Sequence, residues 1–260
     1  AAPAAGAAGG PVLLASRDAI PEVVVAELRR LAPKRIVVVG SEASLSAAVA
    51  RQAAALTTGS VERLAGIDRY GTSAAVSADA VAPGAPVVYL AAGADFADAL
   101  SVAAAAGDAG VSVLLTERDS LPGAIKEELA RLSPDRIVVI GGVDRVANSV
   151  IDEAAGFTTG EVSRIAGVDR YATAALVAKA TTTAPVAQVY LTIGTQFPDA
   201  LSGAAAAAAT GSRILLTQGE SLTLAAQQAI TELQPARVLV LGDEASVAAE
   251  TARLAGSYAR

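Results

Sequence analysis

Short apolar runs of strand length alternate along the chain with longer segments in which apolar residues recur at helical spacing. In the segment 122–132 the apolar residues recur every three or four positions, which predicts a helix with one buried face. The runs at 87–90 and 137–140 are almost entirely apolar, as expected of strands that helices cover on both faces. The alternation therefore predicts an α/β fold of open parallel sheets joined by helical crossovers.

One stretch of about a hundred residues shows the full order of predicted elements. Strands are predicted at 61–65, 87–91, 111–115 and 136–140, and helices at 68–81, 95–107, 122–132 and 146–155. Residues 1–11 are interpreted as a low-complexity lead-in, although they align with the alanine-rich helix at 102–112.

The same pattern returns after 101 residues, which defines the structural unit of the chain. Arg63-Leu-Ala-Gly-Ile-Asp-Arg-Tyr70 returns as Arg164-Ile-Ala-Gly-Val-Asp-Arg-Tyr171, and the motif Phe-x-Asp-Ala-Leu-Ser begins at both Phe96 and Phe197. A partial copy precedes the first full one, so we expect a first module that lacks its first strand and helices. The predicted domains are a partial first repeat at 1–61, a second repeat at 62–162 and a third at 163–260.

Composition narrows the possible functions of the chain. Its 260 residues contain no Cys and no His, which removes disulfides, thiolate metal sites, cysteine nucleophiles and the usual general base. Acid or base chemistry would depend on Asp, Glu, Tyr or Lys alone, so we predict no enzyme, no catalytic residues, no metal and no cofactor. A net charge of −6 argues against nucleic-acid binding. We predict no membrane span, because every 18-residue apolar stretch is interrupted by charges.

The repeated Asp-Arg-Tyr motif supplies the first candidate binding residues. Asp68 and Asp169 are expected to accept hydrogen bonds from free N–H groups at helix starts. The arginines that follow could either pair with an acid in a neighbouring unit or hold an anionic ligand through a planar, bidentate contact. The candidate ligand-binding residues of this motif are Arg69, Tyr70, Arg170 and Tyr171.

Further candidates lie where strands are predicted to end. Thr116 and Thr217 follow Leu-Leu runs and would lie at the carboxyl edge of a sheet, where ligands of open α/β sheets bind. Gly141-Gly142 follows another strand, and its N–H groups could hold an anion. Asp98 and its repeat either offset a helix dipole or accept a hydrogen bond from a sugar hydroxyl.

Four motifs follow one another within each hundred residues: Arg-x-Ala-Gly-x-Asp-Arg-Tyr, Phe-x-Asp-Ala-Leu, Leu-Leu-Thr and Ile-Val-Val-Ile-Gly-Gly. In these motifs the chain resembles the cell-wall-binding type 2 repeat family. The resemblance covers nearly all of the chain from residue 12. It implies Rossmann/Toprim-like α/β modules around a pseudo-threefold axis, in an extracellular protein attached non-covalently to anionic cell-wall glycopolymers. It also implies a partner domain or protein on the cell surface.

Two functions follow from these observations. In the leading hypothesis the modules form a non-catalytic wall anchor, in which tandem weak sites gain strength through multivalency. In the alternative, the repeated Arg and Asp residues fix the modules together in a structural or assembly scaffold with no glycan site.

Overall fold

Parallel sheets flanked by helices form the fold, which confirms the α/β class. The computed structural model describes residues 1–182 and 184–260. The strands are β1 (Arg35–Val39), β2 (Ser60–Leu64), β3 (Val88–Ala92), β4 (Ser112–Thr116), β5 (Ile137–Ile140), β6 (Val162–Ile165), β7 (Gln188–Ile193), β8 (Arg213–Thr217) and β9 (Arg237–Leu241). The helices are α1 (Ala2–Ala7), α2 (Glu22–Leu31), α3 (Ala47–Ala54), α4 (Arg69–Ala80), α5 (Ala97–Asp108), α6 (Gly123–Leu132), α7 (Asn148–Ala154), α8 (Arg170–Ala180), α9 (Pro198–Ala209), α10 (Leu224–Leu233) and α11 (Ala249–Ser257).

The strands form three sheets, and all of their pairings are parallel. The strand orders are β1-β2, β4-β3-β5-β6 and β8-β7-β9. We call each sheet with its helices a module and number the modules along the chain. In the second module the predicted apolar face of α6 is confirmed, because Ile125, Leu129 and Leu132 are completely buried in one core. In the described parts of the chain, the helices are too short or too polar to cross a membrane.

Strands β2 and β6 each complete the sheet of one module although most of their residues belong to the next sequence repeat. Strand β2 pairs with β1, placing Leu64 beside Val39, and β6 pairs with β5, placing Ile165 beside Ile140. The division into repeats at 1–61, 62–162 and 163–260 stays a prediction. By strand pairing, each of the first two sheets ends a few residues after the corresponding repeat boundary.

The amino-terminal 16 residues differ in one respect from their repeat counterparts. Leu13-Leu14 is equivalent to Leu114-Leu115 in β4 but forms no strand. Strand β4 pairs with β3, and the described part of the first sheet contains no strand in the position of β3 to provide those hydrogen bonds. The alanine-rich lead-in, in contrast, forms helix α1.

Helices α1, α5 and α9 pack against one another around a pseudo-threefold axis. Gly6, Gly107 and Ala208 are spaced 101 residues apart and meet at this axis. A Cβ atom on Gly6 would lie 2.3 Å from the Cβ of Ala208, and one on Gly107 would lie 2.6 Å from it. Only one side chain therefore fits at this level, which explains the two glycines.

Candidate functional site

Asp68 and Asp169 begin helices α4 and α8, as the sequence predicts. The Oδ1 atom of Asp68 accepts a hydrogen bond from the N–H of Gly71 at 2.8 Å, and that of Asp169 accepts one from Ala172 at 2.7 Å. Each carboxylate thus satisfies a free donor of the first helical turn and lies at the positive end of the helix dipole. This local role accounts for the aspartates of the repeated motif.

Tyr70 and Tyr171 lie against glycines at the ends of the central strands. A Cβ atom on Gly93 would be 2.5 Å from Cε1 of Tyr70, and one on Gly194 would be 2.6 Å from Cε1 of Tyr171. The glycines therefore allow the rings to pack on the backbone. A ligand-binding role for the two tyrosines stays a prediction.

Arg69 and Arg170 share one contact and differ in another. Their Nη1 atoms donate to the carbonyl oxygens of Gly93 at 2.6 Å and Gly194 at 2.7 Å, respectively. Arg170 also donates from Nη2 to Oδ2 of Asp95 in the second module at 3.1 Å. Among the residues that the structure describes, Arg69 has no carboxylate partner, and its side chain is exposed.

The ion pair of Arg170 belongs to a larger contact between the second and third modules. Within the second module, Arg145 also pairs with Asp95, with 3.2 Å between its Nη1 atom and Oδ2. The guanidinium of Arg170 lies 5.8 Å from the centre of the Phe96 ring, within the range of a cation–π contact. Phe96 in turn lies 5.8 Å from Phe197. Arg170 therefore contributes to the junction of two modules.

A polar cleft of about 540 Å³ lies at this junction. Four aspartates and two arginines line it, so its formal charge is negative by two. The charged residues are Asp95, Asp98, Asp144, Arg145, Asp169 and Arg170. The excess of carboxylates favours ligand groups that donate hydrogen bonds over groups that carry negative charge.

Asp98 is the most deeply buried carboxylate of the polar cleft. Its side chain is 7% exposed, and its carboxylate accepts no hydrogen bond from the residues that the structure describes. One oxygen lies close to Gly141, where a Cβ atom would be 2.4 Å from Oδ2. Burial and the nearby charge of Asp95 raise the pKa of the Asp98 carboxyl, while Arg145 and Arg170 oppose this shift. A buried acceptor facing a cavity is suited to a hydroxyl or amine donor.

Thr116 and Thr217 lie at the carboxyl ends of β4 and β8, but inside the protein. They are 1% and 0% exposed, and their hydroxyls donate to the carbonyl oxygens of Ser120 and Ser221, both at 3.0 Å. The two hydroxyls thus close the loops that follow the strands. Their ligand-binding role stays a prediction, and their burial gives it no support.

Gly141 and Gly142 differ in the use of their N–H groups. The N–H of Gly141 donates to the carbonyl oxygen of Ile165 at 2.9 Å, and the carbonyl oxygen of Gly141 accepts from Arg164 at 2.5 Å. Gly142, in the described structure, donates to no backbone acceptor. The N–H of Gly142 is therefore free to hold an anion, whereas use of the N–H of Gly141 would break its hydrogen bond with Ile165.

Asp95 and Arg145 line the polar cleft but are not among the residues predicted to form a site. Arg145 lies in a loop after β5, and its contact with Asp95 depends on the packing of that loop against the start of α5. Asp95 itself comes directly before Phe96, where the repeated Phe-x-Asp-Ala-Leu-Ser motif begins. Periodicity alone could not identify either contact.

Comparison with known families matches residues 63–151 and 164–252 to the family Cell wall binding domain 2 (CWB2). Two curated proteins of Bacillus subtilis (strain 168) are also similar. The N-acetylmuramoyl-L-alanine amidase LytC is 29% identical over 252 residues, which are 97% of this chain and 49% of that protein. The amidase enhancer is 28% identical over 240 residues, which are 92% of this chain and 32% of that protein. The chain thus spans half or less of the length of these relatives.

Two solved structures share the fold over the full length of the chain. Cwp6 from Clostridium difficile has a TM-score of 0.91 and 25% sequence identity, and the match covers 41% of its chain. Cwp8 from the same organism has a TM-score of 0.87 and 24% identity, and the match covers 45% of its chain. The arrangement of modules is therefore shared with larger proteins.

Proposed function

Because the chain belongs to the cell wall binding domain 2 family, we propose that it is a non-catalytic array of modules that attaches an exported protein to anionic cell-wall polymers. The observation that carries this proposal is the family match over both complete repeats. The proposal places the protein outside the cell, at the wall.

We assign the sugar hydroxyls of the polymer to the polar cleft. Asp98 lines it with a carboxylate that accepts no hydrogen bond from the described residues, so its oxygens are free to accept one from a hydroxyl in the cleft. Arg145 is half-exposed at the same cleft but pairs with Asp95, and carboxylates outnumber arginines there. We therefore assign the hydroxyls of the polymer to the cleft and its acidic groups to another contact.

Arg69 supports a second contact with the polymer. Its guanidinium is exposed and bonded to one carbonyl oxygen, so several of its donors remain for a planar anionic group. Because the protein carries a net charge of −6, a polyanion binds only where local arginines overcome the overall repulsion. Binding should therefore weaken as salt is added.

A structural or assembly scaffold is the alternative function, and the contacts of Arg170 favour it. This arginine already bonds Asp95 and a backbone carbonyl, which are the partners expected of a residue that fixes two modules together. Arg69 and Arg170 could therefore have separate roles despite their equivalent positions in the repeat.

Co-sedimentation with purified cell walls tests the proposal. Wild-type protein should bind walls and should lose binding after the anionic polymers are extracted. D98N and R69K should each weaken binding about tenfold, because each removes one charge-assisted or bidentate contact. The control is R253K, which changes an exposed arginine of α11 that pairs with Glu250.

The combination of R69K and R170K distinguishes the two functions. If sites in separate modules act together, the double variant should weaken binding more than the single variants suggest. Wild-type binding by a folded double variant would assign these arginines to the scaffold. Unchanged binding to polymer-free walls would refute the anionic polymer as the ligand.

A further inference from the structure

The charges of the polar cleft are unevenly paired. Both arginines of the cleft bond to the same carboxylate oxygen, because Nη1 of Arg145 lies 3.2 Å and Nη2 of Arg170 lies 3.1 Å from Oδ2 of Asp95. In the described part of the chain, the other three aspartates of the cleft form no ion pair. The positive charge of the cleft is therefore concentrated at one aspartate, and three carboxylates remain without a cation.

Asp98 is the buried member of these three aspartates. It is 7% exposed, and because it lines the cleft, its small exposed surface faces the cleft. Its carboxylate accepts no hydrogen bond from any residue that the structure describes. Burial and the charge of Asp95 raise the pKa of the Asp98 carboxyl, and a cation bound beside it would lower that pKa again. The environment of Asp98 thus lacks a positively charged donor.

The two remaining aspartates are exposed at the carboxyl edge of the second sheet. Asp144 lies in the loop after β5 and Asp169 in the loop after β6, and these two strands are parallel neighbours. Asp169 uses Oδ1 to cap α8, which leaves its other oxygen without a protein donor within the described residues. Both carboxylates add negative charge around the cleft, and this charge attracts a cation from solvent.

The carboxylates of the cleft are not a general feature of the repeat. Gln196 stands 101 residues after Asp95, and its side chain carries no charge. Ala245 likewise stands 101 residues after Asp144. Only the buried carboxylate has a counterpart in the third module, the half-buried Asp199. The fold of a module therefore does not require the acidic cleft, which is a property of the second module and its junction with the third.

We infer that the polar cleft binds a primary ammonium group of the wall polymer, with the carboxylate of Asp98 as its hydrogen-bond acceptor. An ammonium group carries three N–H donors and the positive charge that the cleft lacks, whereas a hydroxyl supplies one donor and no charge. Hydroxyls next to the amine would occupy the rest of the cleft. An amino sugar or an aminoacyl ester carries such a group. The inference rests on the proposed function for the polymer that bears the amine.

Three sugars that differ only at one ring carbon test the inference. Glucosamine has an ammonium group there, glucose a hydroxyl and N-acetylglucosamine an uncharged amide. Each is titrated into the isotopically labelled full chain at about pH 6, where amines are protonated, and the NMR shifts of the amides lining the cleft are followed. Glucosamine should bind saturably and about tenfold more tightly than the other two, because hydrogen bonds to charged groups are stronger. Equal affinities, or no saturation up to about 100 mM glucosamine, would overturn the inference.

Protein variants locate the site of binding. D98N keeps the shape of the side chain but loses its charge, so it should weaken glucosamine binding about tenfold and change glucose binding little. D144N alters an exposed residue that folding does not depend on, and it should weaken glucosamine binding about twofold. D199N is the matched control in the third module and should bind glucosamine as wild type does. Full affinity for glucosamine in both D98N and D144N would overturn the inference.

Walls with blocked amines connect the site to the polymer. Acetic anhydride converts free amines to amides and leaves the anionic groups in place, so wild-type binding should fall about tenfold whereas D98N should bind both preparations alike. Mild alkali removes aminoacyl esters and leaves amino sugars, which identifies the group that carries the amine. Wall binding unchanged by acetylation would overturn the inference and leave the proposed function standing. Saturable glucosamine binding by a protein that binds no walls would support the ammonium site and refute the proposed function.

Discussion

Arg170 of the third module lies 3.1 Å from Asp95 of the second, measured between Nη2 and Oδ2. Its repeat equivalent, Arg69, makes the same carbonyl contact without such an ion pair in the described structure. The pair of arginines therefore allows a comparison in which local geometry is the same and only the inter-module contact differs.

Replacing Arg170 should destabilise the protein more than replacing Arg69. R170A removes a partly buried ion pair and should lower the free energy of unfolding by about 1–2 kcal/mol, whereas R69A should cost less. Urea unfolding followed by circular dichroism measures both values. Equal effects of the two variants would show that the contact with Asp95 adds no stability.

A methyl group added at the pseudo-threefold axis should be destabilising. G107A would place its Cβ atom 2.6 Å from that of Ala208, and such overpacking costs about 1–3 kcal/mol. Alanine's better helix propensity offsets this by about 1 kcal/mol or less. The second change A208G should restore part of the lost space, since the carbonyl oxygen of Pro3 would still lie 2.9 Å from the added Cβ atom. Thermal unfolding of the two single variants and the double variant tests this, and additive effects would contradict a shared packing site.

Asp98 should make stability depend on pH in a defined direction. Burial raises the pKa of its carboxyl in the folded protein above its ordinary value of 3.8, so the folded state binds the proton more tightly than the unfolded state. The contribution of Asp98 to the free energy of unfolding is therefore lost as the pH rises from 3.8 through the pKa that the carboxyl has in the folded protein.

The variant D98N should remove this penalty. It should be more stable than wild type at pH 7, and the difference should shrink as pH falls below 3.8. Melting temperatures across this pH range measure the effect. The half-buried equivalent D199N is the control and should change stability less. A variant that is more stable yet binds walls less well would separate the role of Asp98 in binding from its effect on folding.

Removal of metal ions should leave the protein unchanged. The chain has no His or Cys, and among its described residues no three Asp or Glu side chains are placed so that they could hold a metal ion together. After dialysis against EDTA, the melting temperature and wall binding should equal those of the untreated protein. A loss of either that added calcium or magnesium restores would contradict this prediction.

The sequence predicted best those features that depend on residues close to one another in the chain. The start of α4 beside Asp68 follows from the capping preference of aspartate, and the buried face of α6 follows from the spacing of its leucines and isoleucine. Both depend on residues within a few positions of one another. The repeat then extended these predictions to the third module.

Contacts between elements distant in sequence could not be predicted in the same way. The partner of Arg170 lies 75 residues earlier, and the sheet that contains β6 is fixed by pairing with β5. The hydroxyl of Thr116 is at the predicted edge but donates within its own loop, a choice that depends on the turn after the strand. Sequence spacing therefore located these residues without determining what they contact.

The placement of β6 in the sheet of the second module separates the unit that repeats from the unit that folds. A segment cut out at the repeat boundary between 162 and 163 would leave most of β6 behind and would lack the last strand of its sheet. Each module thus depends on chain that also leads into its neighbour. A module isolated from its neighbours would therefore keep its whole sheet only if the cut lay after Ile165, before the Asp169 cap of the next helix.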